Sequence, residues 1–245
     1  MPKPTIALVH GAFAESASWN GVISRLQEKG VTAVAIANPL RSLSGDAAYV
    51  RDVLASIDGP IVLVGHSYGG MVITEAAAEN DAVVGLVYVS AFAPDTGESA
   101  FQLSTSAPGS TLGEALAAYP VSTGGNEFAI RSDIFGHQFA ADVPEAEAAL
   151  MAATQRPVTE AALSEGLPTA RPAWKDTPSW HVFGELDLNI PAAVLRAGAE
   201  RAGAHAVHEV AGASHAVAVS RPDAVVATIA EAARAYIESQ ARTAA

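Results

Sequence analysis

The chain has 245 residues, 50% of them hydrophobic, a net charge of −12 at neutral pH and no cysteine. That length and apolar content suffice for one sizeable core carrying an inserted lid. The acidic balance disfavours nucleic acid and anionic membrane surfaces, which require basic patches, and the lack of cysteine excludes disulfides, a thiolate nucleophile and the usual structural zinc sites.

Ile6-Ala7-Leu8-Val9 is a continuous apolar run, as expected of a strand buried on both faces, and His10-Gly11-Ala12-Phe13 ends it. The run is too short for the core of a signal peptide and no later segment approaches a membrane span, so a soluble cytoplasmic protein is the expectation. A helix fits Ser18 to Glu28, with Trp19, Val22, Ile23 and Leu26 at helical spacing and Gly30 as its stop. Val31 to Ala37 reads as the second strand, closed by Asn38-Pro39. Asp46 reads as the N-cap of a helix through Ile57, and Asp58-Gly59-Pro60 turns into the third strand. That strand, Ile61-Val62-Leu63-Val64, runs straight into Gly65-His66-Ser67-Tyr68-Gly69, a G-x-S-x-G pentapeptide. Met71 to Ala78 then offers helix formers without a breaker. Ser67 therefore sits at a strand-to-helix corner, which strains its backbone and lifts its hydroxyl above the strand end. Gly65 and Gly69 leave room for strand and helix to pass close together, and the helix aims its N-terminal N–H groups and positive dipole end at this spot. Val83 to Val89 is a fourth strand. Strands alternating with helices at this rhythm imply right-handed βαβ crossovers and a parallel sheet.

After Asp95 the rhythm breaks until about Lys175. Glycine, serine, proline and threonine crowd Ser104–Gly113 and Val121–Gly125, with short helical pieces at Leu112–Ala118, Pro144–Thr154 and Thr159–Leu163. Phe101, Leu116, Tyr119, Phe128, Ile134, Phe135, Phe139, Leu150 and Met151 are too many apolar groups for a disordered linker. Some of them must pack on the core or line a pocket, so the segment reads as a helical cap. The core resumes with a strand at Ser179–Phe183 that ends in Gly184-Glu185-Leu186-Asp187, a helix from Pro191 to about Ala202, and a last strand at Ala206–Val210. The loop Ala211-Gly212-Ala213-Ser214-His215 follows. A final helix is expected from Pro222 to about Ser239, with a frayed tail beyond it. The organisation is thus a core in two parts, residues 1–95 and 176–245, around a cap at 96–175.

The segments V-H-G-A-F (Val9–Phe13), G-H-S-Y-G-G (Gly65–Gly70), F-G-E-L-D (Phe183–Asp187) and G-A-S-H (Gly212–His215) together resemble the α/β-hydrolase superfamily. More narrowly they are similar to its small serine esterases, a group that includes plant methylesterases, hydroxynitrile lyases and pyrethroid-type carboxylesterases. The resemblance covers most of residues 4–95 and 176–238 and is weak between them. It implies the α/β-hydrolase fold: a mostly parallel sheet of about six strands flanked by helices, with a helical cap inserted after the fourth strand.

A serine hydroxyl needs an oriented base to take its proton. Of the seven histidines, His10 and His66 lie inside the glycine motifs, and His66 adjoins Ser67 on a turn where neighbouring side chains diverge. His137 lies in the cap, and His181, His205 and His208 lie within or beside strands. His215 follows the last strand at a carboxyl end, where ligands gather in open α/β sheets, and it matches the superfamily's base by position. The orienting acid is either Asp187, which gives the chain order Ser, Asp, His, or Asp95, at a position some superfamily members use; Asp187 is favoured. Glu185 reads as a flanking surface charge. One donor to the oxyanion is the N–H of Tyr68, immediately after the nucleophile, and the other belongs in the loop after the first strand. By resemblance Ala12 supplies it, with Phe13 bordering the substrate pocket.

The resulting expectation is a cofactor-independent serine hydrolase acting on a small-molecule carboxylic ester through an acyl-enzyme, with no nucleic acid or membrane partner. No dinucleotide fingerprint or P-loop is present, and no His/Asp/Glu cluster has metal spacing, His205 and His208 being the nearest. A hydroxynitrile lyase or a perhydrolase of the haloperoxidase kind would use the same triad, and a non-catalytic binding protein would keep the same fold. Such lyases usually carry threonine where this chain has Gly11, and lysine where it has Ala216. An apolar cap with mostly acidic charges favours neutral, hydrophobic esters over anionic ones, with Arg131, Arg156 and Arg171 the candidate clamp for an anion. The sequence carries no statement of oligomeric state.

Overall fold

A computed structural model describes residues 3–122 and 124–243. The first part of the core supplies β1 (Thr5–Val9), α1 (Asn20–Glu28), β2 (Ala33–Ile36), α2 (Leu43–Ala55), β3 (Ile61–His66), α3 (Gly69–Ala76) and β4 (Val83–Val89). The insertion carries α4 (Ala100–Ser104), α5 (Leu112–Ala115), β5 (Leu116–Pro120), β6 (Asn126–Ile130), α6 (Phe135–Phe139), α7 (Glu145–Thr154), β7 (Val158–Thr159) and α8 (Glu160–Ser164). The core is completed by β8 (Ser179–Gly184), α9 (Ala192–Arg201), β9 (Ala206–Val210), α10 (Val217–Ser220) and α11 (Pro222–Thr243).

Six strands form one sheet in the order β2-β1-β3-β4-β8-β9, and every neighbouring pair is parallel. Strand alternation divides the apolar runs between two layers. Ile6, Leu8, Val62, Val64, Val87 and Val89 face α1 and α11, with Trp19, Val22, Leu26, Val225 and Ile229. Ala7, Val9, Ile61 and Leu63 face α2, α3 and the cap. Because both faces are covered, the central strands read as unbroken apolar runs, whereas the edge strands β2 and β9 carry half-exposed residues.

Three local expectations change. Asp46 is not the cap of α2: that helix starts at Leu43, where the Ser42 hydroxyl accepts from the Gly45 N–H at 3.2 Å. Asp46 instead lies in the first turn, fully buried, and turns inward. The last helix does not fray after Ser239 but continues to Thr243. The cap contains its short helices and also a three-stranded antiparallel sheet, β5-β6-β7, that its composition did not announce. The segment Leu116–Ala118, expected to be helical, is strand, paired with Ile130, Ala129 and Phe128. Gly124 and Gly125 occupy left-handed conformations (φ 94° and 77°) in the connection between β5 and β6; Thr123, in the same turn-rich stretch, lies outside the described residues. Among the cap's apolar groups Phe135 and Phe139 are buried, while Leu150 and Tyr119 remain 64% and 41% exposed. No helix among the described residues is long and apolar enough to cross a membrane.

The sheet also encloses three histidines: His10 after β1, His66 at the end of β3 and His181 within β8. Burial lowers the pKa of each below 6.5, to about 4 for His10 and about 3 for His181, and well below its ordinary value for His66. All three are therefore neutral in the folded chain and protonate readily only when unfolded. Their contribution to stability is complete above pH 6.5 and is lost as the pH falls towards 4. Each should cost about 2 kcal/mol between pH 7 and pH 5. Thermal melts should show Tm falling over that range. His181→Phe, which keeps a ring against Tyr88 (4.6 Å between centroids) without a proton to bind, should lessen the fall by about a third; an unchanged slope would show that buried His181 does not contribute to it.

Candidate active site

All the chemistry-bearing loops leave the carboxyl ends of the parallel strands. Ser67 follows β3 with φ 56°, a left-handed conformation uncommon for a residue with a side chain. Its N–H donates to the Val89 carbonyl at 3.1 Å, and its own carbonyl accepts from the Gly70 N–H at 2.9 Å as α3 begins. A Cβ on Gly65 would stand 2.6 Å from the Gly69 carbonyl oxygen, and one on Gly69 would stand 2.6 Å from that of Val9. The glycines of the pentapeptide are thus where backbone meets backbone.

Asp187 and His215 lie in the loops after β8 and β9 and meet in the interior. His215 Nδ1 donates to Asp187 Oδ2 at 2.7 Å, and the two side chains are 1% and 0% exposed. The other carboxylate oxygen accepts from the N–H groups of Asn189 (2.8 Å) and Ile190 (2.9 Å), so the acid is held rigidly as an acceptor. With Nδ1 committed, the Nε2 of His215 is the nitrogen left to act as a base. Ser67 and His215 line the same cavity, of about 360 Å³. Asp95 is elsewhere: it takes part in a surface ion pair with Lys175 at 2.8 Å, which together with the Thr96 N–H holds its carboxyl below the usual range.

The loop after β1 is pinned from two sides. His10 Nδ1–H donates to the Gly11 carbonyl at 2.9 Å, its Nε2 accepts from the Asn38 N–H at 3.0 Å, and the Asn38 amide donates back to the His10 carbonyl at 3.0 Å. Phe13 is left-handed (φ 60°), and its N–H donates to the Arg156 carbonyl of the cap at 3.1 Å. Between these anchors the Ala12 N–H, like that of Tyr68, has no backbone acceptor among the described residues. Both residues line the cavity beside Ser67. Gly11 has no room for a side chain, because a Cβ there would lie 2.6 Å from Ser67 Cβ and 3.2 Å from its hydroxyl oxygen.

Four supporting residues were not legible in the chain. His66 donates from Nε2 to the His215 carbonyl at 3.0 Å, and its ring lies 4.7 Å from that of His215. Its proximity to Ser67 in sequence is spent on holding the other histidine's backbone. Asp142 of the cap accepts from both the Ser214 hydroxyl (2.6 Å) and the Ser214 N–H (3.1 Å), fixing the residue before His215. Phe139 covers the His215 ring edge-on at 4.9 Å. Asp46 accepts from the Tyr68 hydroxyl at 2.9 Å and from the Arg41 N–H at 3.0 Å. Burial raises its pKa and raises that of Tyr68 well above the ordinary range, so the tyrosine keeps its proton. The remaining histidines are accounted for outside the site: His137 is exposed, His205 packs against Trp180, and His208 faces Glu231. Glu185 is exposed and accepts from the Gly212 N–H.

The cavity wall is mainly apolar, with Phe13 and Phe92 from the core and Phe101, Leu112, Leu116 and Leu163 from the cap. Glu114 is the one acidic residue on its lining among the described residues, and none of Arg131, Arg156 and Arg171 reaches it. Arg131 faces Asp133 and Arg171 pairs with Asp176. Among the described residues no group of three or more His, Asp or Glu side chains is gathered as a metal would need.

Residues 6–228 match the alpha/beta hydrolase family. Alpha/beta hydrolase nvfD of Aspergillus novofumigatus (strain IBT 16806) is 31% identical over 259 residues, covering 97% of this chain and 100% of that protein. Among solved structures, polyneuridine aldehyde esterase superposes with a TM-score of 0.79 at 20% identity, over 94% of this chain and 99% of that one. A pyrethroid hydrolase from Sphingobium faniae JZ-2 does so with a TM-score of 0.75 at 24% identity, over 96% and 99%. At these identities the two structures speak for a common fold. The family match spans both parts of the core and the cap between them, and the chain belongs to the alpha/beta hydrolase family.

Proposed function

We propose that this hydrolase is a serine esterase that cleaves small to medium, neutral, hydrophobic carboxylic esters through an acyl-enzyme. The observation that carries the reading is the dry 2.7 Å contact between His215 and Asp187, beside a cavity that the strained Ser67 also lines. Ser67 Oγ attacks the ester carbonyl while His215 Nε2 takes its proton. The N–H groups of Ala12 and Tyr68 donate to the oxyanion that forms. Collapse expels the alcohol, which leaves with the proton from His215, and water then releases the acid by the same steps. Asp187 holds the imidazole in the tautomer that presents Nε2 and stabilises its charged form. The name of one superposed structure, polyneuridine aldehyde esterase, accords with ester chemistry.

The substrate class follows from the wall. A cavity of about 360 Å³ lined by phenyl and leucyl groups takes an apolar acyl or alcohol group of modest size. Glu114 and the net charge of −12 repel an anion. A small-molecule ester and the water that releases the acid are the only reactants this reading requires, and the catalytic groups are the protein's own residues. The crowding at Gly11 weighs against the lyase alternative, which pairs the same triad with a side chain at that position.

Ser67→Ala should lower turnover of 4-nitrophenyl butyrate by about four to six orders of magnitude while leaving the thermal melt close to that of the parent. Activity above a tenth of the parent's would remove Ser67 from its role. A fluorophosphonate should label one serine, Ser67, in the parent; a protein that folds and labels nowhere is a binding protein. Asp187→Asn should cost on the order of 10⁴ in kcat by leaving His215 in the wrong tautomer, whereas Asp95→Asn should cost little. The opposite pattern in steady-state kinetics would move the acid to the loop after β4.

A further inference from the structure

A second cavity, of about 240 Å³, is lined jointly by the segment after β1 and by α7. Its apolar lining comes from Ala14 and Ala17 of the core, Leu150 and Met151 of α7 and Val219 of α10. The two cavities have a single lining residue in common, Phe13. That residue is not a free flap. It is 4% exposed, its backbone is held in the left-handed region and its N–H is tied to the Arg156 carbonyl. Phe13 is therefore held in place where the two cavities meet.

We infer that Phe13 is a specificity-determining residue: it ends the active cavity and so limits the length of the apolar chain an ester may carry, and the chamber behind it is a latent subsite for longer chains. The chemistry of that chamber selects its occupant. Leu150, Met151 and Val219 suit an aliphatic or aromatic chain, Ser18, Asn20, Thr154 and Gln155 give the chamber a polar part as well, and its two acidic residues, Glu15 and Glu147, disfavour an anion. Leu150 stands 64% exposed, so a chain laid against it also covers apolar surface now in water. The inference rests on the esterase reading and adds where the acyl or alcohol chain stops.

The test is the ratio of kcat/KM for 4-nitrophenyl dodecanoate to that for 4-nitrophenyl butyrate. Phe13→Ala joins the two chambers and should raise this ratio about tenfold or more over the parent, the scale expected when several methylenes gain a hydrophobic site. Phe13→Ala with Leu150→Trp, which refills the second chamber from its outer wall, should return most of that gain. Should Phe13→Ala fail to fold, Phe13→Leu should give the same change at about threefold. An unchanged ratio in a folded Phe13 variant overturns the length limit, and a gain that persists with Leu150→Trp overturns the second chamber as its cause. Turnover of short esters by the parent keeps these outcomes separate from the esterase reading: if the parent hydrolyses no ester of any length, that reading falls and the inference falls with it.

Discussion

The close approach of three backbone segments governs the site. At the end of β3 the chain must reverse into α3 while β1 runs alongside, and the carbonyls of Val9, Gly69 and Phe92 lie where side chains of Gly65, Gly69 and Gly70 would otherwise stand. Glycine allows this approach, and at the corner it forms Ser67 stands at φ 56°. A conformation of that kind costs on the order of 1–3 kcal/mol. It is held by the hydrogen bonds of Ser67 to Val89 and Gly70 and by a sheet buried on both faces, which has no freedom to relax around it.

Around that corner the polar groups of the interior act on loops. His10 and Asn38 clasp the loop that presents Ala12, His66 grips the backbone of His215, Asp142 grips Ser214, and Asp46 holds the ring of Tyr68. Each is buried or nearly so, where an unmatched polar group is costly, so each interaction resists being broken by a moving loop. The proposed reacting groups thus sit in a frame that needs no rearrangement as charge develops, the condition under which fixed donors are most effective.

The cap belongs to this frame. Arg156 ties it to Phe13, Thr159 ties it to the carbonyls of Leu40 and Arg41, and Ser110 and Gln138 bond the loop that carries Asn189. Through Phe139 and Asp142 it also touches His215 and the residue before it. The insertion therefore supplies most of the apolar wall and part of the positioning of the site, so a change in the cap acts on the chemistry as well as on what enters.

The sequence by itself determined whatever short-range rules govern. The apolar runs of β1, β3 and β4, the pentapeptide at the β3–α3 corner and the loops that end in Asp187 and His215 are local patterns, and each predicts its place at a strand's carboxyl end. Contacts made across the fold were decided only there. Asp46 reads locally as a helix cap, but its partner, Tyr68, is 22 residues away; His66 acts on a carbonyl 149 residues away, and Asp142 on a hydroxyl 72 residues away. The cap sheet was hidden for the same reason, since alanine-rich β5 and two-residue β7 have weak intrinsic preference and become strands only by pairing with β6. The two candidate acids part in the same way: both follow a strand, and the packing of β8 beside β9 places Asp187 against His215 while Asp95 meets Lys175 at the surface.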